Sequence, residues 1–207
     1  MPPTTSSKVT RKIYGMGRGW VFSVIDFSTF GSRSAIDVTL HRLLKKGTIR
    51  RVTRGIYDYP RYSARLETEL SSDPDQAARA IARKYGWRIQ PSGNAALNLL
   101  GLSTQVPSQF LYLSDGPNRT YQIGRQTLAF KKSPLKESGL KLRESGIIVQ
   151  ALRALGSERI SPEIISKIRD WLDPEKRSLV LKDTRTVTGW VYDAIRRICD
   201  QEKPWNA

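Results

Sequence analysis

The sequence predicts an α+β fold, and three observations carry that prediction. Residues 32–60 read as one helix, one glycine stop and one β-hairpin. Residues 74–130 mix helical periodicity with short β-branched and aromatic runs. Residues 144–199 carry apolar residues at helical spacing. The expected organisation is an N-terminal helix-and-hairpin domain, then a mixed α+β domain with a helical C-terminal part.

Residues 1–7 read as disordered. Val9, Ile13 and Met16 then recur at helical spacing, with Lys8, Arg11 and Lys12 outside. Gly15, Gly17 and Gly19 break that helix. They follow no predicted strand and precede no Lys-Ser/Thr pair, so they read as a turn rather than a phosphate cradle. Trp20, Val21 and Phe22 make a short apolar strand. Ser23 with Asp26 is a capping-box start for a helix to about Thr29. Ser34 with Asp37 opens the next helix, where Ile36, Leu40, Leu43 and Leu44 form one apolar stripe. Lys45, Lys46 and Gly47 end it, with cations at the negative end of the dipole and glycine for a left-handed cap. Ile49 to Val52 alternates like a strand, Arg54-Gly55 turns it, and Ile56 to Tyr59 returns before Pro60. Three helices and a hairpin within residues 8–60 are the outline of a winged helix-turn-helix.

A step of about 100° per residue places Ser34, Val38, His41, Arg42 and Lys45 opposite the leucine stripe. Ser32 and Arg33 stand at the start of the same helix. Arginine can read guanine bidentately, serine can donate or accept, and a branched alkyl group can meet a thymine methyl. Arg50, Arg51 and Arg54 crowd the hairpin, where phosphates or a minor groove would lie. The same pattern also describes an ordinary solvated helix with a basic hairpin. Charge tips the balance. The net charge is +16, and residues 1–60 hold 11 Lys+Arg against 3 Asp+Glu. The excess falls to +2 in the last 57 residues. A bias of that size favours a polyanionic partner, with double-stranded DNA the expected one.

Residues 61–73 read as a linker, with a possible short helix at residues 64–70. Pro74 opens a helix to Tyr85, with Ala77, Ala78, Ile81 and Tyr85 on one face. Residues 87–89, 110–113, 121–123 and 126–130 read as strands, and residues 92–100 as a helix closed by Gly101. Four helices follow to Cys199, with Leu179 among the residues expected inside. The second domain is thus expected over residues 74–203.

Other chemistries have little support. One histidine and one cysteine exclude multi-histidine sites and intrachain disulfides. The paired carboxylates Glu67/Glu69 and Asp73/Asp75 lie in loop-like sequence with no base beside them, so no catalytic set, metal site or cofactor is expected. No signal peptide, lipidation signal or long apolar helix is evident, which points to the cytoplasm and away from membranes.

The segments RRVTRGIYDYP, GNAALNLLGLSTQVP and YLSDGPNRTYQIGRQTLAFKK resemble the AbiEi-type antitoxins of abortive-infection toxin–antitoxin operons. The resemblance covers roughly residues 8–200. It implies a winged-helix repressor of its own operon and a C-terminal antitoxin domain opposing a neighbouring nucleotidyltransferase-like toxin, with or without direct binding. Thr104, Gln105, Asn118 and Trp190 are candidates for an antitoxin surface; as caps, turn residues and core they have an equally physical reading. A stand-alone winged-helix regulator is the alternative, and an enzyme acting on nucleic acid a third. Helix-turn-helix readers often pair on palindromes, so a dimer on DNA is possible in this scheme.

Overall fold

The structure, a computed structural model, describes residues 3–103, 109–133 and 140–200. It is a mixed α+β chain that divides into two compact units, Met1–Ile89 with Arg119–Ala129, and Gln90–Asn118 with Phe130–Ala207.

The first unit begins with α1 (Thr5–Met16), β1 (Val21–Phe22), a 3-10 turn (Val24–Phe27), α2 (Arg33–Lys45), β2 (Arg50–Thr53) and β3 (Ile56–Asp58). β1, β3 and β2 form an antiparallel sheet in that order. Val9 and Ile13 of α1, Ile36, Leu40 and Leu43 of α2, and Trp20, Phe22, Phe27 and Ile49 close one core. The apolar stripe of α2 is therefore buried as its periodicity dictates. The helix is capped by Ser32, whose Oγ accepts from Ala35 N, and not by Ser34. Asp37 instead pairs with Arg33 one turn earlier. The 3-10 turn replaces the helix expected at residues 23–29. α1 starts three residues before Lys8, because the Thr4 hydroxyl accepts from Ser7 N and supplies a cap.

Residues 61–73 are not a plain linker. They contain a hairpin of β4 (Tyr62–Ser63) and β5 (Thr68–Glu69), where a short helix is the sequence expectation. α3 (Pro74–Tyr85) follows, capped by Asp73 and stopped by Gly86 in the left-handed region. It packs on β1, β3 and the 3-10 turn, burying Ala77, Ala78 and Ile81, while Tyr85 faces outward. The compact unit thus extends past residue 60. β8 (Arg119–Ile123) and the start of β9 (Gln126–Lys132) complete it, with β8 lying near β2.

In the second unit β6 (Ile89–Pro91), β7 (Gln109–Ser114) and the end of β9 lie in the order β6-β7-β9. The helices are α4 (Gly93–Leu99), α5 (Arg143–Leu155), α6 (Pro162–Trp171), α7 (Arg177–Asp183) and α8 (Gly189–Cys199). Ile147, Ile148, Leu152, Ile168, Val180, Val191, Ile195 and Ile198 form its core. α4 and α5 approach closely at Gly93, where a Cβ would stand 2.5 Å from the Ala154 methyl. Leu179, expected inside, is 51% exposed, because α7 is only two turns long and turns Val180 to the core instead. Among the described residues no helix is long and apolar enough to cross a membrane, and no cluster of three or more His, Cys, Asp or Glu side chains is placed to hold a metal ion.

Candidate nucleic-acid interface

The outward face of α2 holds most of the side chains selected by sequence. Ser32, Arg33, Ser34, Val38, His41, Arg42 and Lys45 are all exposed. Val38 is 50% exposed, a single apolar side chain among polar ones on this face. Ser32 Oγ and Ser34 Oγ share a hydrogen bond at 3.1 Å. Thr39, on the flank of this face, is buried, its hydroxyl donating to Ala35 O at 2.8 Å. The first turn of α1 stands next to this face. Thr4, Thr5 and Ser6 line an open groove of about 370 Å³ with Ser34, Val38 and Arg42.

The hairpin behaves differently from its sequence reading at one position. Arg51 and Arg54 are exposed, and Gly55 takes φ 74° at the turn, a backbone setting that favours glycine. Arg50 is not free for a phosphate. Its Nε and Nη2 donate to the two carboxylate oxygens of Asp58 at 3.1 and 2.7 Å, and Nη2 also donates to Leu70 O at 2.8 Å. The hydrogen bond from Arg50 to Asp58, against the opposing effect of burial, raises the guanidinium pKa further above its usual value. Arg50 is a structural residue of the sheet.

Residues that sequence reasoning passed over hold this face in place. Arg83 Nε donates to Asp26 Oδ1 at 2.7 Å, and its Nη2 donates to Val21 O at 2.9 Å. Lys84 Nζ donates to Arg54 O at 3.1 Å. Lys12 Nζ donates to Asp26 O at 2.6 Å and lies over the Phe27 and Phe30 rings. The two cations ending α3 thus brace the 3-10 turn before α2 and the turn between β2 and β3. In sequence they carry only the ordinary signal of a basic helix C-terminus.

Beside them Tyr85 stacks on Trp87 with centroids 4.8 Å apart, and the Arg119 guanidinium lies 5.2 and 5.8 Å from the two ring centres. Burial pushes the Tyr85 phenol up, but its hydrogen bond with Tyr121 and the nearby Lys84 and Arg119 leave it below its usual value. Burial dominates at Tyr121 and raises it.

In the second unit, Asn118 Oδ1 accepts from Lys132 N at 2.7 Å, which makes it a turn-stabilising residue. Trp190 is partly buried and packs against the helical core. Thr104 and Gln105 lie outside the described residues. Cys199 is buried, and burial pushes its thiol up to about 11, which leaves it unreactive at neutral pH.

No curated protein matches this sequence at a significant level. Among solved structures, the crystal structure of the RV2827C protein from Mycobacterium tuberculosis is 12% identical, covering 96% of this chain and 77% of that one, with a TM-score of 0.39. That likeness is too distant to transfer any property. Residues 8–180 match a family of unknown function, DUF6088, and over so much of its length the chain belongs to that family.

Proposed function

We propose that this protein binds double-stranded DNA through a winged helix-turn-helix and acts as a transcriptional regulator. In this reading α1, the 3-10 turn and α2 are its helices, and β2 with β3 its wing. α2 enters the major groove. Ser34, Val38, His41 and Arg42 meet base edges, and Lys45, Arg51 and Arg54 meet phosphates. One observation carries the reading: the face of α2 opposite its buried stripe is exposed along its whole length and holds two cations (Arg42, Lys45), an imidazole (His41), a hydroxyl (Ser34) and one exposed apolar group (Val38). The unit that carries it holds much of the chain's excess charge of +16.

The resemblance to AbiEi-type antitoxins extends the proposal. The regulated operon is the protein's own, and the chain counteracts a nucleotidyltransferase-like toxin encoded beside it. That extension rests on the sequence segments quoted above. The alternative is the same DNA-binding activity without a toxin.

Footprinting of the purified protein on DNA upstream of its gene tests the first part. A protected site whose affinity falls with salt at a log–log slope of about −4 to −5, as about five phosphate contacts require, supports it. A slope near zero, or no protection, refutes it. Growth on co-expression with the neighbouring gene separates antitoxin from stand-alone regulator.

A further inference from the structure

We infer that the first unit contains a binding site for a small amphipathic monocarboxylate, set against the start of α2 and the β2–β3 turn. The site is a cleft of about 420 Å³, within the roughly 300–1,000 Å³ typical of small-molecule sites. Its walls are Val24, Ile25, Ile36 and the Tyr85 ring; its polar groups are Ser23, Ser28, Arg33 and Lys84. Two cations and no carboxylate stand among the described residues lining it, so it selects an anion. Ile25 is half exposed at its edge.

Ser23 supplies an independent sign. It faces Asp26 in a capping-box arrangement, with the Asp26 carboxylate accepting from Ser23 N at 2.8 Å. Yet Ser23 is only 1% exposed, and beyond that capping contact with the Asp26 backbone its hydroxyl proton has no acceptor. A buried hydroxyl proton without an acceptor is costly, and a ligand oxygen would satisfy it. Lys84 Nζ gives one of its three protons to Arg54 O and meets the Tyr85 side chain with a second, which leaves one for a ligand. Arg33 gives Nε–H to Asp37 and keeps its other donors. The apolar body of the ligand then lies along Val24, Ile25 and Ile36, with its carboxylate between Arg33 and Lys84.

The site itself does not depend on the DNA reading; its consequence does. Arg33 heads α2, and Lys84 positions the turn that presents Arg54. An anion there neutralises the charge of Arg33 at the reader's start and of Lys84 beside the turn that presents Arg54. Occupancy therefore lowers DNA affinity.

Calorimetric titration of the full-length protein with benzoate, without DNA, is the test. Saturable binding is expected, about tenfold weaker for uncharged benzamide and for Lys84→Met, the loss expected of one charge-assisted hydrogen bond. Ile25→Trp, which fills the cleft from an exposed position, should abolish binding while the circular dichroism spectrum is kept. No saturable heat, equal binding of benzamide, or binding indifferent to both substitutions overturns the site. Operator affinity measured with and without saturating benzoate then tests the consequence. Benzoate bound with no operator binding at all would sink the proposed function and leave the site standing. Operator binding with no benzoate heat would do the reverse.

Discussion

Arg50 and Asp58 face each other across β2 and β3 and form a two-pronged ion pair, with Asp58 only 1% exposed. Ser72 Oγ donates to the same carboxylate at 2.6 Å, so the pair also ties down the chain leading into α3. Arg50→Ala leaves a buried carboxylate without its counter-charge. The expected cost is about 3 kcal/mol. Arg51→Ala, one residue on and exposed, should cost less than about 0.5 kcal/mol. Urea unfolding of both variants checks this. Equal, small effects would return Arg50 to the list of DNA contacts.

The pairing was beyond the reach of the sequence for a definite reason. A regular hairpin closing between Thr53 and Ile56 sets Arg51 opposite Asp58. The register slips by one between Arg51 and Thr53, so Arg50 takes that place and Arg51 turns to solvent. Bulges leave little trace in residue order. By contrast α2 was legible almost to the residue, because a four-residue apolar stripe and a glycine stop are local signals. The exposed Ser34, Val38, His41, Arg42 and Lys45 follow from the stripe alone. Lys84 and Arg83 were illegible because their partners, Arg54 O and Asp26, are 30 and 57 residues away. The helix expected at residues 64–70 is absent: a hairpin stands there, and Leu66 and Leu70 are exposed on or beside it rather than on a buried face.

Those long-range ties decide where the N-terminal unit ends. α3 buries Ala77, Ala78 and Ile81 against β1, β3 and the 3-10 turn, and Arg83 is the counter-charge of Asp26. A fragment of residues 1–62 loses all of this and exposes the covered side of the sheet. It should show no cooperative thermal transition, where the full chain does. Well-dispersed amide resonances from that fragment would place the boundary back at the linker expected from sequence.

The second unit should be sensitive to acid through Asp183. Burial pushes this carboxyl up, but it accepts from Lys141 N at 2.9 Å and Leu142 N at 3.0 Å, and the balance lies below its ordinary value. A depressed carboxyl stabilises the fold fully above its unfolded pKa, near about 4, and loses that contribution as pH falls through the folded value. Asp183→Asn should cost about 1–2 kcal/mol at neutral pH and flatten the loss of stability below about pH 4. Urea midpoints at pH 7, 5 and 3 read both effects. A variant with unchanged midpoints and an unchanged acid limb would remove Asp183 from the account.

The exposed cations of α2 and of the β2–β3 turn should differ in kind. Arg42 projects from the last turn of the outward helix face, beside Val38 and the hydroxyls of Thr4 and Ser6. Arg54 sits at the turn, where Gly55 bends the chain and Lys84 holds the Arg54 carbonyl. If α2 reads bases, Arg42→Ala removes a base contact. It should cost about 1–3 kcal/mol on the preferred site and much less on unrelated DNA. If the turn rests on phosphates, Arg54→Ala should weaken every duplex alike and reduce the salt slope by about one. Binding to the footprinted site and to a scrambled duplex, each at three salt concentrations, separates the two. Equal losses on both duplexes for Arg42→Ala would mean that this face positions rather than reads. A change of preference for Arg54→Ala would move the reading function to the wing.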